Sequence, residues 1–162
     1  MRIILETPRL QLREMVESDL DFVACMLSDP EVTRFYPQQY SRAEAQTWLR
    51  RQLDRYRLDG SGLWLVQRVE DALPVGQVGL VMQLIEGNYE PEIGYLIHRP
   101  HWRQGYAREA VEAVRDHALF RLGRTHVHSL IRPINRPSRA VADRIGMRPI
   151  KLVLHQGLEH LL

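Results

Sequence analysis

Apolar positions along the chain switch between two periods, and the switches mark the elements. Leu10 and Leu12 alternate with polar neighbours after the Thr7-Pro8 break, which predicts a strand over Leu10–Arg13. Ser18 offers an N-cap, and Leu20, Val23, Ala24 and Leu27 then recur at helical spacing, so a helix is expected around Asp19–Leu27. A short helical turn is expected after Asp29-Pro30. Ser41 and Glu44 have the spacing of a capping box. They open a long helix in which Ala45, Trp48, Leu49, Leu53 and Tyr56 form the stripe, ended by Gly60 and Gly62.

Leu63–Arg68 and Val75–Leu84 read as two strands, and Gly76 and Gly79 in the second predict a bulge or a close backbone approach. Glu92–Ile97 is a third β run, closed by Pro100. The clearest helix is Ala107–Leu122, with Ala107, Ala110, Val111, Val114, Ala118 and Leu122 on one face and Gly123 as its cap. Thr125–Ile131 is expected as a strand, Pro137–Ile145 as a short helix capped by Gly146, and Met147–Leu154 and Leu158–Leu162 as the last strands. Early strands can form antiparallel hairpins, whereas strand–helix–strand over Glu92–Ile131 favours a parallel pair. The order is that of an α/β (α+β) fold without repeats or linkers.

A length of 162 residues suits one domain with a sizeable core. The net charge of +2 argues against a nucleic-acid partner, since such proteins concentrate a large basic excess. Nearly all basic residues are arginine, Lys151 being the only lysine. Cys25 is alone, which excludes an internal disulfide and fits a reducing compartment. No run has the length needed to span a membrane, so a cytoplasmic protein with no membrane partner is expected. The last apolar run stops at Leu162, which leaves a truncated chain or a strand edge completed in a homodimer as expectations.

The segment Trp102-Arg103-Gln104-Gly105-Tyr106-Ala107-Arg108 lies between a predicted strand and a predicted helix. The first N–H groups of a helix lack internal partners, and the helix dipole adds positive potential there. Gly105 allows a tight turn, Ala107 is small, and Arg103 and Arg108 add charge for phosphate. The loop is neither a Walker A sequence nor a G-x-G-x-x-G fingerprint. Alone, it reads equally as an ordinary βα turn.

The neighbouring residues add to this. Glu92-Ile93-Gly94-Tyr95-Leu96-Ile97, followed by Trp102–Ala107 and Arg108-Glu109-Ala110, resembles motif A of the GNAT superfamily of N-acetyltransferases. The opening Leu5-Glu6-Thr7-Pro8-Arg9-Leu10-Gln11-Leu12-Arg13 is similar to that of the RimJ/RimL type. Asn135-Arg136-Pro137-Ser138 with Arg144-Ile145-Gly146-Met147 resembles motif B. The resemblance implies a central mixed twisted sheet of about six to seven strands flanked by helices. It implies transfer of an acetyl group from acetyl-CoA to a primary amine, a protein N-terminus or a small molecule, by direct attack in a ternary complex.

The resemblance also implies roles. Arg103, Gln104, Gly105, Tyr106, Ala107 and Arg108 would hold the pyrophosphate, and the main chain of Tyr95, Leu96 and Ile97 the pantetheine arm and thioester oxygen. Glu92 matches a glutamate used as base in some members; the other reading is a strand glutamate in a surface pair. Asn135 would bond cofactor amides or cap its helix. Many members have a tyrosine at the position of Ala142 that protonates the thiolate, and Ala142 has no proton to give. Ser138 then stands nearest, as acid or as a helix N-terminal serine. Arg103 departs from the glycine frequent in this subgroup. With Ala142, it supports the alternative of a non-catalytic acyl-CoA-binding module with a sensing or regulatory role.

Tyr36, Tyr40 and Trp64 are candidates for an acceptor pocket or for the core. His126 and His128 alternate on one strand face, and His98 and His101 flank the loop. No third metal ligand stands at a recognisable spacing, so no metal is expected.

Overall fold

In the computed structural model, which describes residues 1–162, five strands form one sheet in sequence order. They are β1 (Ile3–Glu6), β2 (Leu10–Arg13), β3 (Leu63–Arg68), β4 (Pro74–Ile85) and β5 (Asn88–Ile97). Every neighbouring pair is antiparallel. The helices are α1 (Leu20–Ser28), α2 (Arg42–Leu58), α3 (Tyr106–Asp116) and α4 (Arg136–Arg144), and β6 (Leu152–His155) pairs with β7 (Leu158–Leu161) in a separate hairpin. The seven strands are thus divided five and two, with β1 added to those expected from the sequence.

The sheet is covered on both faces, which is why Leu63–Val66 is continuously apolar. Trp64 and Val66 pack with Val78, Leu80, Ile93 and Ile97 against Val111 and Val114 of α3. Leu63 and Leu65, on the opposite face, pack with Val81 against Leu27 of α1 and Leu49 of α2. Gly79 permits a close approach, since a Cβ there would lie 2.0 Å from the Gly62 carbonyl oxygen.

Local signals placed several elements. The capping box of α2 forms: Glu44 N–H donates to Ser41 Oγ at 3.2 Å, and Ser41 N–H donates to Glu44 Oε2 at 2.7 Å. Ser18 does not cap α1. A short turn at Glu17–Asp19 precedes that helix, and the buried Asp19 carboxylate takes both Nη atoms of Arg13 at 2.8 Å and the Val16 N–H at 2.8 Å.

Four runs differ from their expected limits. β5 begins at Asn88 rather than Glu92. Pro91 is tolerated because its missing N–H faces away from β4, while its carbonyl accepts from His128 N–H at 2.8 Å. The Ala107–Leu122 helix is α-helical only to Asp116 and widens into a π turn over His117–Arg121. Thr125–Ile131 is not a strand. It meets β5 in a single parallel bridge, Glu92 with His128, and reaches β7 through Ile131 and Leu161. The hydroxyl of Ser129 donates to the Ile93 carbonyl at 2.9 Å and ends the ladder there. Met147–Leu154 shortens to start at Leu152, beyond Pro149.

Candidate active site

The loop after β5 folds back on its own strand. Trp102 donates its indole N–H to the Ile97 carbonyl at 2.7 Å. Arg103 then takes φ +60° and Gly105 φ +80°. The first is the left-handed region, where a Cβ is strained, and it explains why glycine suits that position. Gly105 is the N-cap of α3 and no side chain caps the helix. The N–H groups of its first turn therefore face outward unpaired, beside exposed Arg103, Gln104 and Arg108. Tyr106 is buried in the core and Ala107 is half-buried. A free helix N-terminus with two exposed guanidinium groups fits a pyrophosphate.

An acidic residue in the first turn would oppose an anion, but Glu109 is tied away. Its carboxylate accepts the Thr7 hydroxyl at 2.6 Å, the Arg9 N–H at 3.0 Å and Arg9 Nε at 2.7 Å. Arg9 also donates to the Gln104 carbonyl at 2.8 Å and lies 4.7 Å over the Tyr106 ring. The Thr7-Pro8-Arg9 turn thus braces both the loop and the start of α3.

Next to the loop, β5 has an open edge. His98 N–H donates to Val75, so by alternation Leu96 turns its main chain into the β4 ladder opposite Gln77, while Tyr95 and Ile97 turn theirs away. Of the three main chains expected to contact the cofactor, only these two face the edge, and the Ile97 carbonyl is already taken by Trp102. Upstream, Ile93 N–H still donates to the His128 carbonyl at 2.7 Å. Past that bond the two chains diverge.

Glu92 stands just before this divergence, its side chain on the α1–α2 face. Gln83 donates to it at 2.9 Å. Desolvation raises its carboxyl above the ordinary carboxylate range, against the pull of Gln83, Arg55 and the Leu130 backbone. Tyr36 and Tyr40, from the loop between α1 and α2, join Trp48 in an aromatic group with ring centroids 5.4 to 6.3 Å apart. Burial raises the Tyr36 phenol, and the Glu92 charge adds to the rise. Trp64, by contrast, is 1% exposed and belongs to the core, edge-on to His117. Trp48 takes its place beside the cleft, with its indole N–H on Gln77 at 3.2 Å.

On the other face, Asn135 caps α4 by accepting the Ser138 N–H at 3.2 Å. The Tyr95 hydroxyl donates to the Ser138 carbonyl at 2.6 Å, linking β5 to α4. Glu92 and the Tyr95 side chain that reaches Ser138 therefore lie on opposite faces of the strand. Ala142 is buried and lines a cavity of about 820 Å³ behind α4, away from the loop. Sequence reading missed the Tyr95 hydroxyl, the Trp102 indole and the Arg9–Glu109 brace. The only signal for the brace was the Thr7-Pro8-Arg9 opening itself.

No helix is long and apolar enough to cross a membrane. The family described as "Acetyltransferase (GNAT) domain" matches residues 9–148. YkkB, an uncharacterized protein of Bacillus subtilis (strain 168), is 31% identical over 150 residues, covering 92% of this chain and 87% of its own. YoaA, an uncharacterized N-acetyltransferase of the same organism, is 27% identical over 90% of this chain and 82% of its own. The acetyltransferase of Agrobacterium tumefaciens str. C58 superposes with a TM-score of 0.84 at 27% identity, over 99% of this chain and 92% of that one. RimL, the ribosomal L7/L12 α-N-protein acetyltransferase solved with coenzyme A, shares the fold with a TM-score of 0.75 at 17% identity, over 99% and 94%. The chain belongs to the GNAT acetyltransferase family, in a fold that RimL also has.

Proposed function

We propose that the protein is an acetyl-CoA-dependent N-acetyltransferase acting on a primary amine, with transfer at the open edge of β5. The observation that carries this reading is the position of that edge. Tyr95 and Ile97 turn main-chain groups outward between the uncapped start of α3 and the Glu92 carboxyl.

In this reading the pyrophosphate lies against the N–H groups of Gly105, Tyr106, Ala107 and Arg108, with Arg103 and Gln104 beside it. The pantetheine arm runs along Tyr95 and Ile97, and an outward N–H donates to the thioester oxygen as charge builds there. The amine enters from the α1–α2 face, past Tyr36, Tyr40 and Trp48. Glu92 takes a proton from the ammonium, directly or through water, because only the neutral amine is a nucleophile. Nitrogen attacks the carbonyl carbon, the C–N bond forms, and the C–S bond breaks. Ser138, on the opposite face, hands a proton to the departing thiolate or holds the water that does. Holding both reactants at one edge supplies much of the rate. The acceptor is a protein N-terminus, as the name of RimL states for that enzyme, or a small-molecule amine in the cytoplasm.

Ala142, which has no proton to give, favours one other reading, an acyl-CoA-binding module without turnover. Free-thiol release from acetyl-CoA, measured against peptides with free N-termini, amino acids and polyamines, separates the two. Amine-dependent thiol release with an acetylated product by mass is expected. Tight acetyl-CoA binding with no product on any amine would establish the module, and no binding in calorimetry would sink both.

A further inference from the structure

Glu90, His126 and His128 converge on one point, at the place where β5 and the Thr125–Ile131 segment part. His126 and His128 are two residues apart in extended chain and so project from one face. The parallel bridge of Glu92 with His128 sets Glu90 opposite His126. Glu90 Oε2 lies 2.6 Å from His126 Nε2 and 3.7 Å from His128 Nε2. One ligand atom from each of the three lies within 4.8 Å of the others. The third ligand is 36 residues from His126, which is why no sequence spacing announced it.

We propose that these three side chains hold a divalent transition-metal ion, zinc(II) by ligand type, with one coordination position left open. Two imidazoles and a carboxylate are a sufficient zinc set, completed by water. Donors around a tetrahedral zinc at about 2.0–2.1 Å stand ~3.3 Å apart, so the observed 2.6 and 3.7 Å bracket the required spacing. The Thr125 hydroxyl lies 3.0 Å from His126 Nδ1 and fixes that ring with Nε2 toward Glu90.

The Lys151 ammonium is paired with Glu86. The side chains of Glu90 and His128 are 27% and 16% accessible, and that of His126 is 51%, so an ion can enter without unfolding.

A zinc here would clip the two arms of the cleft at its root, where main-chain pairing is down to one bridge. The inference does not depend on acetyl transfer and is tested without it. Chelator-stripped protein is titrated with zinc chloride by calorimetry near pH 7.5, and its melting temperature is followed in parallel. One equivalent with a rise in melting temperature is expected, as is a visible low-coordinate cobalt(II) spectrum on cobalt loading. Glu90→Gln keeps the side-chain volume and should lose the equivalent, as should His128→Ala. Thr125→Ala should weaken binding by about 10- to 100-fold. His160→Ala, in the separate His155–His160 pair on the β6–β7 hairpin, should leave it unchanged. No stoichiometric binding overturns the proposal. So does an equivalent that survives both Glu90→Gln and His128→Ala, or one that disappears with His160→Ala.

Discussion

Arg9 holds Glu109 across one hundred residues of sequence, with its own N–H on Oε1 at 3.0 Å and its Nε on Oε2 at 2.7 Å. The pair joins the turn before β2 to the first turn of α3 and leaves that helix end free of uncompensated negative charge. Burial pushes the Glu109 carboxyl up, but the bonds from Thr7 and Arg9 prevail and hold it below the ordinary range. A lowered carboxylate adds stability that is complete above its unfolded pKa of about 4.3 and is lost as pH falls through the lower folded value. Glu109→Gln should therefore cost about 1–2 kcal/mol in urea unfolding between pH 6 and 8, and the gap should close in acid. The KM for acetyl-CoA should rise as well, because the same brace positions Gln104.

Arg103 occupies left-handed backbone at φ +60°. A side chain there costs about 1–2 kcal/mol, while glycine loses roughly 0.5–1 kcal/mol through its freer unfolded chain. Arg103→Gly should then leave stability level or raise it by up to about 1.5 kcal/mol. The guanidinium is exposed, so its loss should weaken coenzyme A binding by no more than about fivefold. Calorimetry and thermal melting check both. A variant that melts lower would show that Arg103 makes a stabilising contact outweighing its backbone strain.

What was legible in the sequence was local. The capping box of α2 needs only residues three apart, and it formed as read. The strand–loop–helix order around Trp102–Arg108 placed an uncapped helix end where phosphate chemistry needs one. Contacts between distant segments were not legible. Nothing near Glu109 announces Arg9, and nothing near His126 announces Glu90. The apolar run Thr125–Ile131 looked like a strand because alternation reports burial, not partners; Ser129 takes the bond that the next rung would have made. Trp64 and Trp48 could not be told apart by pattern, since a strand buried on both faces has no polar side to mark the pocket.

Gly79 and Gly94 separate two kinds of crowding. A Cβ at Gly79 meets the Gly62 carbonyl oxygen at 2.0 Å, and this is backbone held in the β3–β4 contact. A Cβ at Gly94 meets only Leu63 Cδ2, at 2.9 Å, and a leucine methyl can turn aside. Gly79→Ala should cost about 3 kcal/mol or more, whereas Gly94→Ala should cost roughly half of that or less. Denaturant unfolding of the pair decides it, and equal losses would contradict this account.

Glu92 gives a prediction in which activity and stability move in opposite directions. Desolvation raises its folded pKa, so its contribution to stability is present below the unfolded value of about 4.3 and lost as pH rises through the folded one. In the proposed mechanism the same ionisation creates the base. The acid limb of kcat/KM should thus fall above the ordinary carboxylate range, and the protein should carry the cost of the buried charge wherever it is most active. An amine acceptor also titrates, so the assay needs two acceptors of different basicity. The limb that shifts with the acceptor is the amine's, and the limb that stays is assigned to Glu92. Glu92→Gln should remove the fixed limb, lower kcat by about 10²–10⁴-fold and raise the melting temperature at neutral pH. A variant that is slower but keeps the fixed limb would assign the base to another group. One with unchanged rate at every pH would leave Glu92 as a buried carboxylate that only Gln83 and the Leu130 backbone require.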